Sequence, residues 1–297
     1  MQRILWDQWN AYDVARRLGN EWLLLPKGFA SFFRRCPLRL AVYVHDVMHH
    51  VYSRKYPGAL PYLERFYFQR AMRATMREAE VIFTNTEFTA SEVRRVARES
   101  GLREPLVCCA GIGFQREGDL KWPRENRLLV LTSRWPHKRS DLALAWVQRW
   151  QEARGFRGEI DLIGGLPKHE LSPARPGWRH LPRVEEEEYR ELLRRARALV
   201  YFSDYEGFGM PPVEATLAGV AAVYSDLPPT RESMGGAGLP FSNTDYESFR
   251  QAMDRAMALP SDTSRGWAEQ LLARHNWERV ARRIVTALGE APSRNGD

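Results

Sequence analysis

Short apolar runs alternate with longer amphipathic stretches along most of the chain. Residues 22–26, 40–45, 81–85 and 106–109 are compact apolar runs, and so are 127–133, 159–163, 198–202 and 221–225. Runs this short, apolar on successive positions, predict strands buried on both faces. Between them a period near 3.6 predicts helices at 62–79, 89–99, 140–154, 184–196 and 212–218, with a last helical region covering 245–259 and 264–288. The 184–196 stretch starts at Glu185–Glu188 and finishes with Arg194, Arg195 and Arg197, the order that complements a helix dipole. Strand–helix alternation implies parallel sheets with helices on both faces, so the fold class is α/β.

The polar segment 115–126, containing Gly118 and Pro123, interrupts the pattern and reads as a linker. It divides the chain into an N-terminal domain, 1–118, and a C-terminal domain, 126–297, that keeps the last helices. Ligands of parallel sheets sit at the carboxyl ends of the strands, so the loops after the strands are where chemistry is expected.

Composition narrows the picture. The chain has 297 residues, 44% hydrophobic and 27% charged, enough for two soluble domains with sizeable cores. No apolar run approaches the length of a membrane span. The formal charge of +7 suits an anionic partner: a phosphorylated ligand, a membrane surface or nucleic acid. The cations are scattered and not interleaved with aromatics, which argues against nucleic acid. The positive charge together with aromatics at 29–35 and 62–68 is consistent with peripheral contact at the inner membrane face. Three cysteines without a C-x-x-C pair argue against a disulfide framework or a zinc site. The N-terminus has no apolar segment typical of a secretory signal, and a cytoplasmic location is expected.

Four loops after strands carry candidate chemistry. After 198–202 come Ser203–Met210 and a helix opened by Pro211 and Pro212, which suit a first turn whose amides need no internal partner. The amides around Gly207, Phe208, Gly209 and Met210 then stand at a helix N-terminus, able to bind phosphate or hydroxyl oxygens. Glu206 lies in that turn and Glu214 in the helix. After 127–133 comes S-R-W-P-H-K-R, in which Arg134 and Lys138 could neutralise a diphosphate, and Ser140 or Asp141 could cap the following helix. After 40–45 comes H-D-V-M-H-H, where His45 could face a sugar and Asp46 could orient it or cap the next turn. A metal site there lacks a second ligand cluster. After 81–85 comes T-N-T-E-F-T, where Thr86 or Thr89 could cap a helix.

Together the motifs H-D at 45–46, T-N-T-E-F-T at 84–89, S-R-W-P-H-K at 133–138 and E-G-F-G-M-P-P-V-E-A at 206–215, with the downstream A-G-V-A-A-V-Y-S-D and R-E-S, resemble the family 4 retaining glycosyltransferases, mannosyltransferase-like branch. The resemblance covers roughly residues 35–290 and is strongest in the C-terminal half. It implies the GT-B fold: two Rossmann-like domains with parallel sheets facing across a cleft. It also implies transfer of a hexose from a nucleotide-diphosphate sugar, with GDP-mannose as the first candidate, to a glycan or lipid-linked acceptor, without cofactor or metal. By resemblance, Glu206 and His45 flank the donor sugar as catalytic residues, Arg134 and Lys138 hold the diphosphate, the backbone of Gly207, Phe208, Gly209 and Met210 meets the sugar, and Glu214 holds the ribose. Family members place a strand and a glycine-rich loop well ahead of the H-D motif. Here His45 comes early, so a reduced N-terminal domain is expected. A reduced domain raises the alternative of a non-catalytic nucleotide-sugar-binding subunit, completed by a partner in a larger transferase.

Overall fold

The computed structural model describes residues 6–27, 29–115, 124–167 and 175–291. The chain forms two compact units, Met1–Gly113 with Asn276–Asp297, and Phe114–His275.

In the first unit β1 (Trp22–Leu25), β2 (Arg39–Val44), β3 (Val81–Thr84) and β4 (Val107–Cys109) lie side by side in that order, all parallel. The order follows the sequence without reversal. β2 and β3 are buried along nearly their whole length, which explains their unbroken apolar character. α1 (Ala11–Arg17) precedes β1, α2 (Met48–Lys55) and α3 (Tyr62–Glu78) connect β2 to β3, and α4 (Glu87–Glu99) connects β3 to β4. Thr86 caps α4, its hydroxyl accepting from the Thr89 amide at 3.0 Å.

In the second unit six parallel strands run in the order β10-β9-β8-β5-β6-β7. They are β5 (Arg127–Thr132), β6 (Glu159–Gly164), β7 (Trp178–Leu181), β8 (Ala198–Tyr201), β9 (Ala221–Ser225) and β10 (Leu239–Phe241). Helices α5 (Ser140–Arg154), α6 (Glu186–Arg195), α7 (Met210–Leu217), α8 (Pro228–Met234), α9 (Tyr246–Met257) and α10 (Ser261–Arg274) complete it. Leu128, Val130, Ile160, Leu162, Val200, Phe202 and Val223 form the core with Trp150, Phe241 and Phe249. The strand order reverses between β5 and β8. From β5 the chain proceeds outward through β6 and β7, then returns to β8 on the other side. Such a switch point leaves a crevice at the carboxyl ends of the two strands.

Two features depart from the sequence reading. The last helical region divides between the units: α10 ends in the second, and α11 (Trp277–Glu290) belongs to the first. No proline or glycine marks the break. Asn276 makes it by capping α11, accepting from the amides of Glu278 and Arg279 at 2.8 and 3.2 Å. The apolar stripe Val280, Ile284, Ala287, Leu288 and Ala291 then packs on Ala41, Tyr43, Val81 and Phe83 of the first sheet. The first unit is therefore discontinuous, in place of the division at 118 and 126. The expected linker falls mostly on residues 116–123, including Gly118 and Pro123, which lie outside the described residues.

Elements absent from the sequence reading are short. α1, α2 and α8 have eight residues or fewer, β7 is half-exposed, and β10 contains Pro240, a residue admitted at sheet edges. No helix among the described residues is long and apolar enough to cross a membrane.

Candidate functional site

The loops after β5 and β8 meet at the switch point of the second sheet. After β5, Ser133 is tied to the start of α5: its amide donates to Ser140 Oγ at 2.8 Å and its carbonyl accepts from the same hydroxyl at 2.9 Å. Ser140 thus closes the turn instead of capping α5. The N-cap is Arg139, held at φ 44°, the one non-glycine with positive φ among the described residues. Arg139 is fixed there by Asp141 at 3.3 Å and Asp204 at 3.4 Å. Pro136–Lys138 form one turn of 3-10 helix, which places Lys138 over the end of β8.

After β8, the turn is pinned from below. The Asp204 amide donates to the His137 carbonyl at 2.7 Å. Ser203 donates through its amide to Ser225 Oγ at 2.9 Å and through its hydroxyl to the Tyr205 carbonyl at 2.9 Å. Asn243 donates to the Ser203 carbonyl at 2.7 Å and to Asp204 Oδ1 at 3.0 Å. Phe208 is buried, stacked on Phe114 at 5.9 Å and edge-on to His275 at 5.3 Å. Gly209 adopts φ 84° as N-cap of α7, and a Cβ there would stand 2.7 Å from Thr230 Cγ2. Only glycine fits this corner without strain. Pro211 and Pro212 open α7, whose first amides have no partner inside the helix.

These loops bring together Lys138 and Glu206. Lys138 Nζ donates to Glu206 Oε1 at 2.6 Å, and the Tyr201 hydroxyl donates to the same oxygen at 2.6 Å. Lys138 Nζ also donates to the Tyr201 hydroxyl oxygen. Tyr201 was not singled out in the sequence, where it reads as one more apolar strand residue. Burial, reinforced by the Glu206 carboxylate, pushes its phenol well above the ordinary value, so it stays protonated and donates. His137 is buried beside this group. Burial first, and the Lys138 ammonium second, lower its pKa to about 4.

Arg134 is exposed at the rim and its arm lies across Gly165, just after β6. Gly207 is buried in the turn, Met210 is exposed at the mouth of α7, and Glu214 is half-buried one turn further on. The second unit therefore gathers Arg134, Lys138, Glu206, Gly207, Phe208, Gly209, Met210 and Glu214 around one switch point.

His45 and Asp46 stand in the first unit, after β2. The His45 ring stacks on Tyr43 at 4.7 Å, and its Nε2 lies 3.0 Å from the Pro26 carbonyl. Asp46 Oδ1 accepts from the Met48 amide at 2.8 Å, so it closes the turn into α2. His49 stacks on Phe68 and His50 pairs with Glu99 at 3.0 Å. The three histidines point to different partners. Among the described residues no group of three or more His, Cys, Asp or Glu could hold a metal ion.

Residues 174–284 match the family model of glycosyl transferases group 1. O-antigen chain mannosyltransferase RfbU of Salmonella typhimurium is 21% identical over 97% of this chain and 79% of its own length. A GDP-mannose:cellobiosyl-diphosphopolyprenol alpha-mannosyltransferase of Xanthomonas oryzae is 30% identical over 58% of this chain and 40% of its own. Sucrose-phosphate synthase from Thermosynechococcus elongatus superposes with a TM-score of 0.69 at 16% identity, over 94% of this chain and 75% of that one, a likeness of fold alone. The likeness drawn from the motifs is borne out: over residues 174–284 this chain carries the sequence of the glycosyl transferases group 1, on a fold of the GT-B kind.

Proposed function

We propose that the chain is a retaining glycosyltransferase that moves a hexose from a nucleotide-diphosphate sugar to a glycan or lipid-linked acceptor. The observation that carries this reading is the convergence of Lys138 and Glu206 at the switch point, beside the glycine-containing turn that leads into α7. A cation, a carboxylate and a helix N-terminus in one crevice suit a diphosphate joined to a sugar. GDP-mannose is the first donor to test, because the Xanthomonas relative carries it in its name. GDP-mannose holds its sugar in the α configuration, so an α-mannosyl product corresponds to retention.

In this mechanism Arg134, Lys138 and the amides of Phe208, Gly209 and Met210 take up the charge of the leaving diphosphate, a role a cation fills in other transferases. The bond between the sugar C1 and the phosphate oxygen breaks, and its electron pair leaves with the nucleoside diphosphate. The acceptor oxygen bonds to C1 from the same face, and its proton passes to the departing phosphate oxygen. Glu206, held by the Tyr201 hydroxyl, faces the oxocarbenium-like sugar and stabilises it. Two carboxylates flanking the bond, as in retaining glycosidases, are not required. Glu214 meets the ribose.

The experiment is a thermal-shift series with GDP, UDP and dTDP, followed by a donor screen read by nucleoside-diphosphate release. Stabilisation by one nucleotide, with turnover of the matching sugar, is expected. No stabilisation by any would sink the reading. Stabilisation without turnover on any acceptor favours a donor-binding subunit of a larger transferase, an alternative motivated by the four-stranded, unreversed first sheet. Peripheral membrane contact is part of the proposal: Tyr62, Leu63 and Phe66 are exposed at the start of α3, with Arg65 over the Tyr62 ring and Arg70 over the Phe66 ring. Failure to co-sediment with anionic vesicles would remove that part.

A further inference from the structure

Glu206 and Lys138 form an ion pair, although the proposed reaction gives Lys138 a diphosphate to hold. Lys138 spends two of its three N–H donors on Glu206 and Tyr201; a diphosphate carries more charge than one carboxylate and draws the ammonium toward itself, and a carboxylate abandoned by its cation is free to rotate. What holds Glu206 once Lys138 has turned away is the third member of the cluster. We propose that Tyr201 is a positioning residue: its hydroxyl holds Glu206 Oε1 in place while a nucleoside diphosphate draws the Lys138 ammonium off it. The inference rests on the donor site proposed above and deepens it.

The two partners of Oε1 differ in freedom. Lys138 reaches Glu206 from a single 3-10 turn, on a flexible stem, with a quarter of its side chain exposed. An ammonium on four methylenes can swing to a phosphate at little cost. Tyr201 belongs to β8, fully inside the sheet, with its ring buried to 3% exposure. Its phenol cannot follow a ligand, and burial keeps it protonated. Both donors converge on the same oxygen, Oε1, while Oε2 takes no hydrogen bond from the described residues. The carboxylate is thereby anchored by one oxygen and presents the other. When Lys138 leaves, Glu206 exchanges an ion pair for a single phenol bond: it stays in position with its negative charge uncompensated, as stabilisation of a developing oxocarbenium requires. Donor binding and the arming of Glu206 become one event.

The test has a structural and a kinetic arm. In crystals of the wild-type protein with bound nucleoside diphosphate, Lys138 Nζ is expected on a phosphate oxygen, with the Tyr201 to Glu206 hydrogen bond intact. Lys138 remaining on Glu206 with nucleotide bound would overturn the inference, and so would loss of the tyrosine bond. Tyr201→Phe removes one oxygen and keeps the ring. Its nucleoside-diphosphate Kd and donor KM are expected within about twofold of wild type, while kcat falls by about tenfold to a hundredfold. An unchanged kcat, or a KM rise matching the kcat loss, would overturn the inference. Absence of nucleotide binding to the wild-type protein is a different result: it removes the donor site itself, and the proposed function with it.

Discussion

The arm of Arg134 crosses Gly165: a Cβ at that glycine would lie 3.0 Å from Arg134 Cγ and 3.2 Å from its Nε. The backbone at Gly165 does not require glycine, since its φ is not positive. The missing side chain serves the arginine. Gly165→Ala is therefore expected to leave the melting temperature nearly unchanged and to displace the guanidinium, raising the donor KM several-fold with little change in kcat. The neighbouring Gly164 contrasts with it. Gly164 sits at φ 112°, and a Cβ there would stand 2.2 Å from the Thr132 carbonyl oxygen. Gly164→Ala should cost roughly 3 kcal/mol or more, because backbone must move. Equal loss of stability in the two variants would refute the distinction.

Gly209 and Thr230 form a second tight corner. Thr230 cannot retreat, because its hydroxyl bonds the carbonyls of Ser225 and Leu227 at 2.9 Å each. Gly209→Ala combines a strained φ with a clash of 2.7 Å against Thr230 Cγ2. A destabilisation of about 1–3 kcal/mol is expected, with loss of the protection that nucleotide gives, since the start of α7 moves. The double variant Gly209→Ala/Thr230→Ser should recover part of the stability. No recovery would place the whole cost in the backbone.

Much of this was legible in the chain. Strands buried on both faces give continuous apolar runs, so β2, β3, β5, β6, β8 and β9 stand out, and the loops following β5 and β8 are the ones whose charged residues the fold brings together. Lys138 and Glu206 announced themselves as charges at strand ends. Tyr201 did not, because a buried strand tyrosine has the same pattern as its aliphatic neighbours, and only the position of its hydroxyl separates them. The departure of α11 from the second unit leaves no compositional mark: Asn276 caps it with one side chain, and which sheet its stripe covers is a tertiary matter.

Lys138 and Glu206 should separate binding from chemistry. Lys138→Ala is expected to raise the nucleoside-diphosphate Kd by about tenfold to a hundredfold, the worth of a hydrogen bond to a charged group. Glu206→Gln removes the charge that competes for Lys138, so its nucleotide Kd should stay level or fall while kcat drops more than tenfold. Calorimetric titration of both variants decides the matter. Weaker nucleotide binding in Glu206→Gln would contradict the competition.

The α11 stripe should be essential to the first unit and not to the second. Val280 is buried against β2 and β3, and Arg39 donates to the Ala291 carbonyl at 2.6 Å. Val280→Asp places a charge against Phe83 and Ala41, at an expected cost of about 3 kcal/mol or more. Hydrogen exchange should then rise across 39–44 and 81–84 while 127–132 and 198–201 stay protected. Uniform loss of protection across both sheets would show that the units do not open independently.

His137 sets an acid limit on the donor turn. Burial lowers its pKa from 6.5 to about 4 in the folded chain, while the unfolded chain keeps the ordinary value. Between these two values the unfolded state binds more protons, so stability rises with pH across that window and is lost as pH falls through it. The loss approaches about 3 kcal/mol for this residue by pH 4. His49, stacked on Phe68 and also lowered to about 4 by burial, adds to the same slope from the first unit. His137→Gln keeps the backbone carbonyl that accepts from the Asp204 amide and removes the titration. The melting temperature of wild type should fall more steeply than that of the variant from pH 7 to pH 5, and parallel curves would show that His137 is not the group responsible.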